Sequence, residues 1–188
     1  VVSLNDPVGE VIFGYDLPNG LTLKNIRVPF GVIGMIFEAR PNVTVDSAVL
    51  CLKAGSAVIL RGSSSALNTN LKIVEIMRKC LKDSDFPEDL IQLIPTASRE
   101  DALELMSLRQ YIDVLIPRGG KGLIESVVRN SKIPVIETGI GNCHIYIDSK
   151  FSLSEKQVID IVVNAKTQRP SVCNAAEKLL IHRAALES

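Results

Sequence analysis

The chain has 188 residues, 46% of them hydrophobic, 22% charged and 4% aromatic, with no tryptophan. That length holds one large domain or one domain with part of another, and the composition is too apolar for a disordered chain. Lysine plus arginine equals aspartate plus glutamate at 21 each, so no net field steers the protein to nucleic acid or to an anionic membrane, and neither partner is expected.

No run approaches the ~18 apolar residues of a transmembrane helix. The first residues lack the charged start and apolar core of a secretory leader. Four cysteines, Cys51, Cys80, Cys143 and Cys173, include no C-x-x-C pair. This spacing argues against a zinc site or a disulfide framework and points to a reducing cytoplasm, with no metal expected. The chain starts without methionine and stops soon after a strand-like segment, so it is expected to be a fragment of a longer protein.

In chain order, residues 8–15 and 21–28 are strand-forming runs on either side of Leu17-Pro18-Asn19-Gly20. Asn19-Gly20 supplies turn chemistry, and a β-hairpin is expected. Such a ribbon has little core of its own and is expected to pack on a neighbour, such as a second subunit. From Phe30 strands and helices alternate. GVIGMIF (31–37) is an apolar run of buried-strand length. Residues 44–53 place Val45, Ala48, Val49 and Leu52 on one helical face, and Gly55 closes that helix. AVIL (57–60) is a second strand, and residues 66–81 form a helix with Leu67, Leu71, Val74, Met77 and Leu81 inward. A strand at 90–94, a helix at 100–107, a strand at 112–116 and a helix at 120–129 follow, and Val135-Ile136 begins a fifth strand. The rhythm implies an α/β fold: a mainly parallel, doubly wound Rossmann-like sheet, covered on both faces, with right-handed crossovers. A strand at 143–147, a helix at 155–166 and a strand at 178–182 read as the start of a second α/β domain.

Ligands of an open parallel sheet bind beyond the carboxyl ends of its strands, and three such ends carry unusual residues. Asn42, in Glu38-Ala39-Arg40-Pro41-Asn42, suits an N-cap, and its amide also suits donation to an oxyanion. Arg61-Gly62-Ser63-Ser64-Ser65 suits either an anionic group such as a nucleotide phosphate or a polar loop with a serine cap. No acidic residue stands there to accept from a ribose 2′-hydroxyl, which with Arg61 favours NADP over NAD if a dinucleotide binds. Pro117-Arg118-Gly119-Gly120-Lys121-Gly122 allows close approach to phosphates or makes a flexible strand–helix turn. Neither G-x-x-x-x-G-K-[ST] nor G-x-G-x-x-G occurs. A fourth candidate is Cys173, in a polar loop near Arg169, where a nucleophilic thiolate is one reading. Cys51 and Cys80 fit helical cores, and Cys143 begins an apolar strand. His144 and His182 read as structural. Glu137 follows the fifth strand as either a general base or an ordinary carboxylate.

VPFGVIGMIFEARPNVT (28–44), LKAGSAVILRGSSSA (52–66), LIPRGGKGLI (115–124), GNCHIYID (141–148) and KTQRPSVCNAAEKLLIH (166–182) together resemble the aldehyde dehydrogenase superfamily, and within it the γ-glutamyl phosphate reductase branch. RPNVT, ILRGSS, IPRGG and TQRPSVCNA are specific to that branch. The resemblance implies that Cys173 is the nucleophile and Asn42 helps hold the oxyanion. It implies that Arg61, Ser63, Ser64, Arg118, Gly119, Gly120 and Lys121 contact an NADPH cofactor, in a fold that binds it without the usual glycine fingerprint. It also implies γ-glutamyl phosphate as substrate, with Arg169 on its carboxylate or its phosphate, and a homo-oligomer joined through the hairpin. Glu137 matches the base with which oxidising relatives hydrolyse their thioester. The domains expected are a hairpin arm at 1–28, a dinucleotide-binding domain at 29–140 and a partial catalytic domain with the cysteine loop at 141–188. Alternatives are an oxidising aldehyde dehydrogenase and a non-catalytic nucleotide-binding module.

Overall fold

The computed structural model describes residues 1–139, 141–150 and 152–186. The chain forms two compact units, Val1–Thr138 and Gly139–Ser188. The expected domain limits at 140 and 188 fall outside the described residues.

The first unit opens with an antiparallel hairpin of β1 (Val11–Asp16) and β2 (Thr22–Ile26). Gly20 turns it at φ +87°, and the Asn19 Oδ1 accepts from the Leu21 N–H at 3.2 Å. Every residue of both strands is exposed, as a two-stranded ribbon without a covering layer must be.

A four-stranded sheet follows: β3 (Val32–Phe37), β4 (Ala57–Arg61), β5 (Ile91–Leu93) and β6 (Val114–Arg118), all parallel, in the order β5-β4-β3-β6. Strand side chains alternate between faces, and the core divides accordingly. Ile33, Phe37, Val58, Leu60, Ile91 and Val114 pack with Ala48 and Cys51 of α1 (Asn42–Lys53) and Val74 of α2 (Leu67–Asp83). Ile36 and Leu115 pack on the other face with Ala102 and Leu105 of α3 (Arg99–Leu105) and Val127 of α4 (Lys121–Asn130). The sheet is thus covered on both sides, as its unbroken apolar runs require. Gly55, at φ +71°, closes α1 as expected, with the Ser56 N–H donating to the Cys51 carbonyl at 2.9 Å.

Several expectations need correction. The fifth strand reduces to one bridge, Leu115 with Val135, because Pro134 behind it and Pro117 of β6 ahead of it have no N–H to extend the ladder. In α1 the buried face is Val43, Thr44, Ser47, Ala48 and Cys51, while Val45 is 39% exposed. In α2 the fully buried residue is Asn70, and Leu71 is 38% exposed. Both helices turn a polar side chain inward, where Thr44 Oγ1 donates to Asn70 Oδ1 at 3.0 Å, which offsets the cost of burying the Thr44 hydroxyl and the Asn70 oxygen. Cys80 lies on the exposed side of α2 and not in the core. Cys51 is buried, and burial pushes its thiol pKa up to about 11.

In the second unit β7 (His144–Ile147) and β8 (Lys178–Ile181) are parallel, joined through α5 (Glu155–Thr167). Ser154 and Gln157 close a capping box at the start of α5, which fixes where that helix begins. Among its described residues only Ala175 is buried, since two strands and one helix cannot enclose a core. Among the described residues of the chain, no helix is long and apolar enough to cross a membrane.

Candidate active site

From β3 the chain steps outward to β4 and β5, then crosses back to lay β6 on the other side of β3. The strand order therefore reverses between β3 and β6, which is where open α/β sheets bind ligands. Glu38 and the Arg118–Lys121 loop follow these two strands. A cavity of about 640 Å³ lies at this end of the sheet, within the ~300–1,000 Å³ range of small-molecule sites. Ile36 of β3 and Arg61 of β4 line it with Glu38, Ser63 and Ser64 just beyond those strands, Arg99 and Leu103 of α3 with Met106 just after it, and Leu123, Ser126 and Asn130 of α4. Apolar walls suit the faces of a planar base, and hydroxyl, amide and guanidinium groups suit a sugar and a phosphate. A second hollow of about 470 Å³, beside Gly55 and Ser56 at the amino end of β4, is lined mainly by Val49, Leu52, Leu81, Phe86 and Leu90. Its walls have little to orient a polar ligand.

Arg61 is not a free cation. Its Nη2 donates to the carbonyls of Ala97 and Ser98 at 2.9 and 2.8 Å, and its Nε is buried with no partner among the described residues. Burial lowers its pKa from the ordinary guanidinium value, and nearby Asp101 acts the other way. The guanidinium clamps the loop between β5 and α3. Ser98 caps α3 by accepting from the Asp101 N–H at 3.0 Å, and the hydroxyls of Thr96 and Ser98 hold the Asp101 carboxyl below its usual range. Next to this cap stands Arg99, an exposed cavity-lining cation with no hydrogen bond or ion pair among the described residues. The sequence reading missed it. The signal was present: Ser98 before Glu100 and Asp101 marks a helix start at the carboxyl end of a strand.

Arg118, Gly119, Gly120 and Lys121 are not among the residues that line the cavity; its lining begins just after them, at Gly122 and Leu123 of α4. The Gly120 N–H donates to Glu38 Oε2 at 2.9 Å. A Cβ on Gly119 would stand 2.7 Å from the Glu38 carboxyl carbon and from Leu123 Cδ2. Glycine at 119 thus admits the Glu38 carboxylate to the start of α4, where an anion is favourable. Arg118 is exposed, and Lys121 pairs loosely with Glu125 at 3.7 Å.

Asn42 is not an N-cap. Pro41, with φ −58° and ψ −28°, already has helical geometry and precedes α1 without a side-chain cap. Because proline enters the helix early, Asn42 sits inside the first turn, from which its side chain cannot reach back to the free N–H groups. Its Nδ2 donates instead to Asp46 Oδ2 at 3.1 Å, on the exposed side.

In the second unit Cys173 is exposed, in the turns between α5 and β8. Bonds from the Val172 N–H to the Arg169 carbonyl (3.3 Å) and from the Ala175 N–H to the Val172 carbonyl (3.1 Å) shape those turns, and Arg169 is exposed. The thiol is open to solvent and not packed in hydrocarbon. Cys143, expected to be buried, is only half-buried, and its Sγ donates to the Cys173 carbonyl at 3.3 Å. Both histidines are exposed; His182 Nδ1 accepts from the Ala184 N–H at 3.2 Å. Glu137 is exposed in the first unit.

The model of the aldehyde dehydrogenase family matches residues 7–188. The chain belongs to that family. It is 60% identical over 183 residues to the γ-glutamyl phosphate reductase of Anoxybacillus flavithermus, covering 97% of this chain and 44% of that protein. The crystal structure of the γ-glutamyl phosphate reductase of Thermotoga maritima superposes with a TM-score of 0.87 at 49% identity, over 97% of this chain and 44% of that one. An engineered glycolyl-CoA reductase with eight mutations and bound NADP+ superposes with a TM-score of 0.71 at 26% identity, over 90% of this chain and 38% of that one. The chain spans less than half the length of each of these relatives.

Proposed function

We propose that these residues are the nucleotide-binding part and the cysteine segment of an NADPH-dependent γ-glutamyl phosphate reductase of proline biosynthesis, which forms glutamate-5-semialdehyde and releases phosphate. The observation that carries this reading is the solvent-open Cys173 in TQRPSVCNA, within a chain 60% identical to a reductase of that name.

The cavity beyond β3 and β4 fits a dinucleotide. Ser63, Ser64 and Arg99 would hold it, with Arg61 shaping the wall and Arg118, Gly119, Gly120 and Lys121 at the margin. Arg99 on the cavity wall, with no acidic side chain in the Arg61–Ser65 segment to accept from a ribose 2′-hydroxyl, favours NADPH, whose extra phosphate needs a cation; an engineered relative holds NADP+. When bound, NADPH supplies the hydride that brings the acyl group to the aldehyde level.

The Cys173 thiolate attacks the carbonyl carbon of the acyl phosphate. A C–S bond forms, the C–O bond to phosphate breaks, and phosphate leaves with the electron pair. The Asn42 amide, released from Asp46, donates to the oxyanion of the tetrahedral intermediate. Arg169 binds the substrate's carboxylate or its phosphate. Collapse to an aldehyde needs no hydrolysis of a thioester, so Glu137 is assigned no step. The exposed apolar side chains of the hairpin, among them Phe13, Tyr15 and Leu23, join copies of the chain into a homo-oligomer. Four free cysteines suit a reducing cytoplasm. In the full-length protein, Cys173→Ala abolishes turnover while NADPH still binds. Near-normal turnover by that variant would remove the covalent step.

A further inference from the structure

We propose that Asn70 is a positioning residue that locks the start of α1, with Asn42, to the loop carrying Ser63 and Ser64, by bonding Thr44 with its oxygen and packing its amide nitrogen against Gly62. What those motifs then do rests on the functional reading above.

Three observations meet at this side chain. Thr44 is the third residue of α1 and Asn70 the fourth of α2, so their 3.0 Å hydrogen bond joins the first turns of two helices. Both residues are fully buried. The Asn70 Nδ2 lies 2.3 Å from where a Cβ on Gly62 would stand, with the Phe37 ring 3.3 Å from the same point. Glycine at 62 is therefore required by the buried amide beneath it, and the loop can take only a path that leaves this space to Asn70.

That amide also carries a cost. The Nδ2 is buried with no hydrogen-bond partner among the described residues, a condition that destabilises a fold. Leucine has the same branched heavy-atom skeleton and would carry no unpaired polar atom into the site. Apolar contacts allow two helices to slide past one another, whereas a buried hydrogen bond fixes one register. The groups held in register are Asn42, two residues before Thr44, and Ser63, one residue after Gly62. A polar core pair retained at a cost beneath two candidate motifs is a device for geometry, not for stability.

The test compares Thr44→Val, Asn70→Leu and the double variant in the full-length protein, reading the melting temperature, equilibrium NADPH binding, KM and kcat. Thr44→Val lowers the melting temperature, because it leaves the Asn70 oxygen unpaired. The double variant, with no polar group left in the pair, regains the wild-type melting temperature. It nevertheless shows a raised KM for NADPH and a lowered kcat, together about ten- to hundredfold in kcat/KM. A double variant with wild-type binding, KM and kcat overturns the proposal. Gly62→Ala supplies a second reading that does not depend on activity. It lowers the melting temperature, and adding Asn70→Ala restores part of the loss; strictly additive losses overturn the proposed packing. Wild-type protein that binds no NADPH would overturn the functional reading, and the coupling between residues 62 and 70 would still decide the role of Asn70.

Discussion

Replacing Arg61 with alanine separates a structural clamp from a direct anion ligand. The substitution removes two hydrogen bonds from a charged guanidinium, to the carbonyls of Ala97 and Ser98. Bonds to charged groups contribute about 1.5–3 kcal/mol each. Water can reach the vacated loop, however, and the guanidinium is itself disfavoured by burial, which lowers its pKa. The net loss is therefore nearer to about 2 kcal/mol than to the sum of the two bonds. At roughly 4 °C per kcal/mol for a unit of this size, the melting temperature falls by about 8 °C. Arg61→Lys keeps the charge but lacks the planar fork, and recovers less than half of that loss. Arg99→Ala leaves the melting temperature within about 1 °C, as surface changes usually do, yet weakens NADPH binding more than NADH binding. Calorimetric melting with NADPH and NADH titrations reads all three variants. Arg61→Ala with an unchanged melting temperature and selectively weakened NADPH binding would refute the clamp.

Asn42→Ala lowers kcat by about 10²–10³, corresponding to about 2.7–4 kcal/mol of barrier for one lost oxyanion donor; steady-state rates with the melting temperature as control check it. Cys51 resists iodoacetamide at pH 8 in the folded protein while Cys80 and Cys173 react, which peptide mass spectrometry reads directly. Because burial raises the Cys51 pKa to about 11, the folded chain keeps a proton that the unfolded chain releases above about pH 8.5. Its contribution is constant at lower pH and is lost as the pH rises from about 8.5 to 11. Urea titrations across that window show a smaller decline for Cys51→Ala than for the wild type.

The alternating strands and helices were legible because their physics is local. GVIGMIF sends Ile33 and Phe37 to one face and Ile36 to the other, and a strand of that pattern is buried on both. The inward face of α1 was misread because Thr44 and Ser47 count as polar in any periodicity, while burial of Thr44 depends on Asn70, 26 residues away. The same pairing exposed Leu71. Asn42 was misplaced by one position because the fixed φ of Pro41 starts the helix early. Of the candidate site, the residue types at the strand ends were readable and their partners were not. Arg61 is spent on two carbonyls and the Gly120 N–H on Glu38, pairings that only the assembled sheet creates. Arg99 went unnoticed because a lone arginine at a helix start gains meaning only once the cavity beside it exists.

The reductase reading can be run backwards. With the full-length protein, glutamate-5-semialdehyde and NADP+, NADPH should appear only when inorganic phosphate is supplied, at a rate that rises with phosphate and vanishes in Cys173→Ala. Formation of NADPH and free glutamate at the same rate without phosphate would instead describe an oxidising aldehyde dehydrogenase that hydrolyses its thioester.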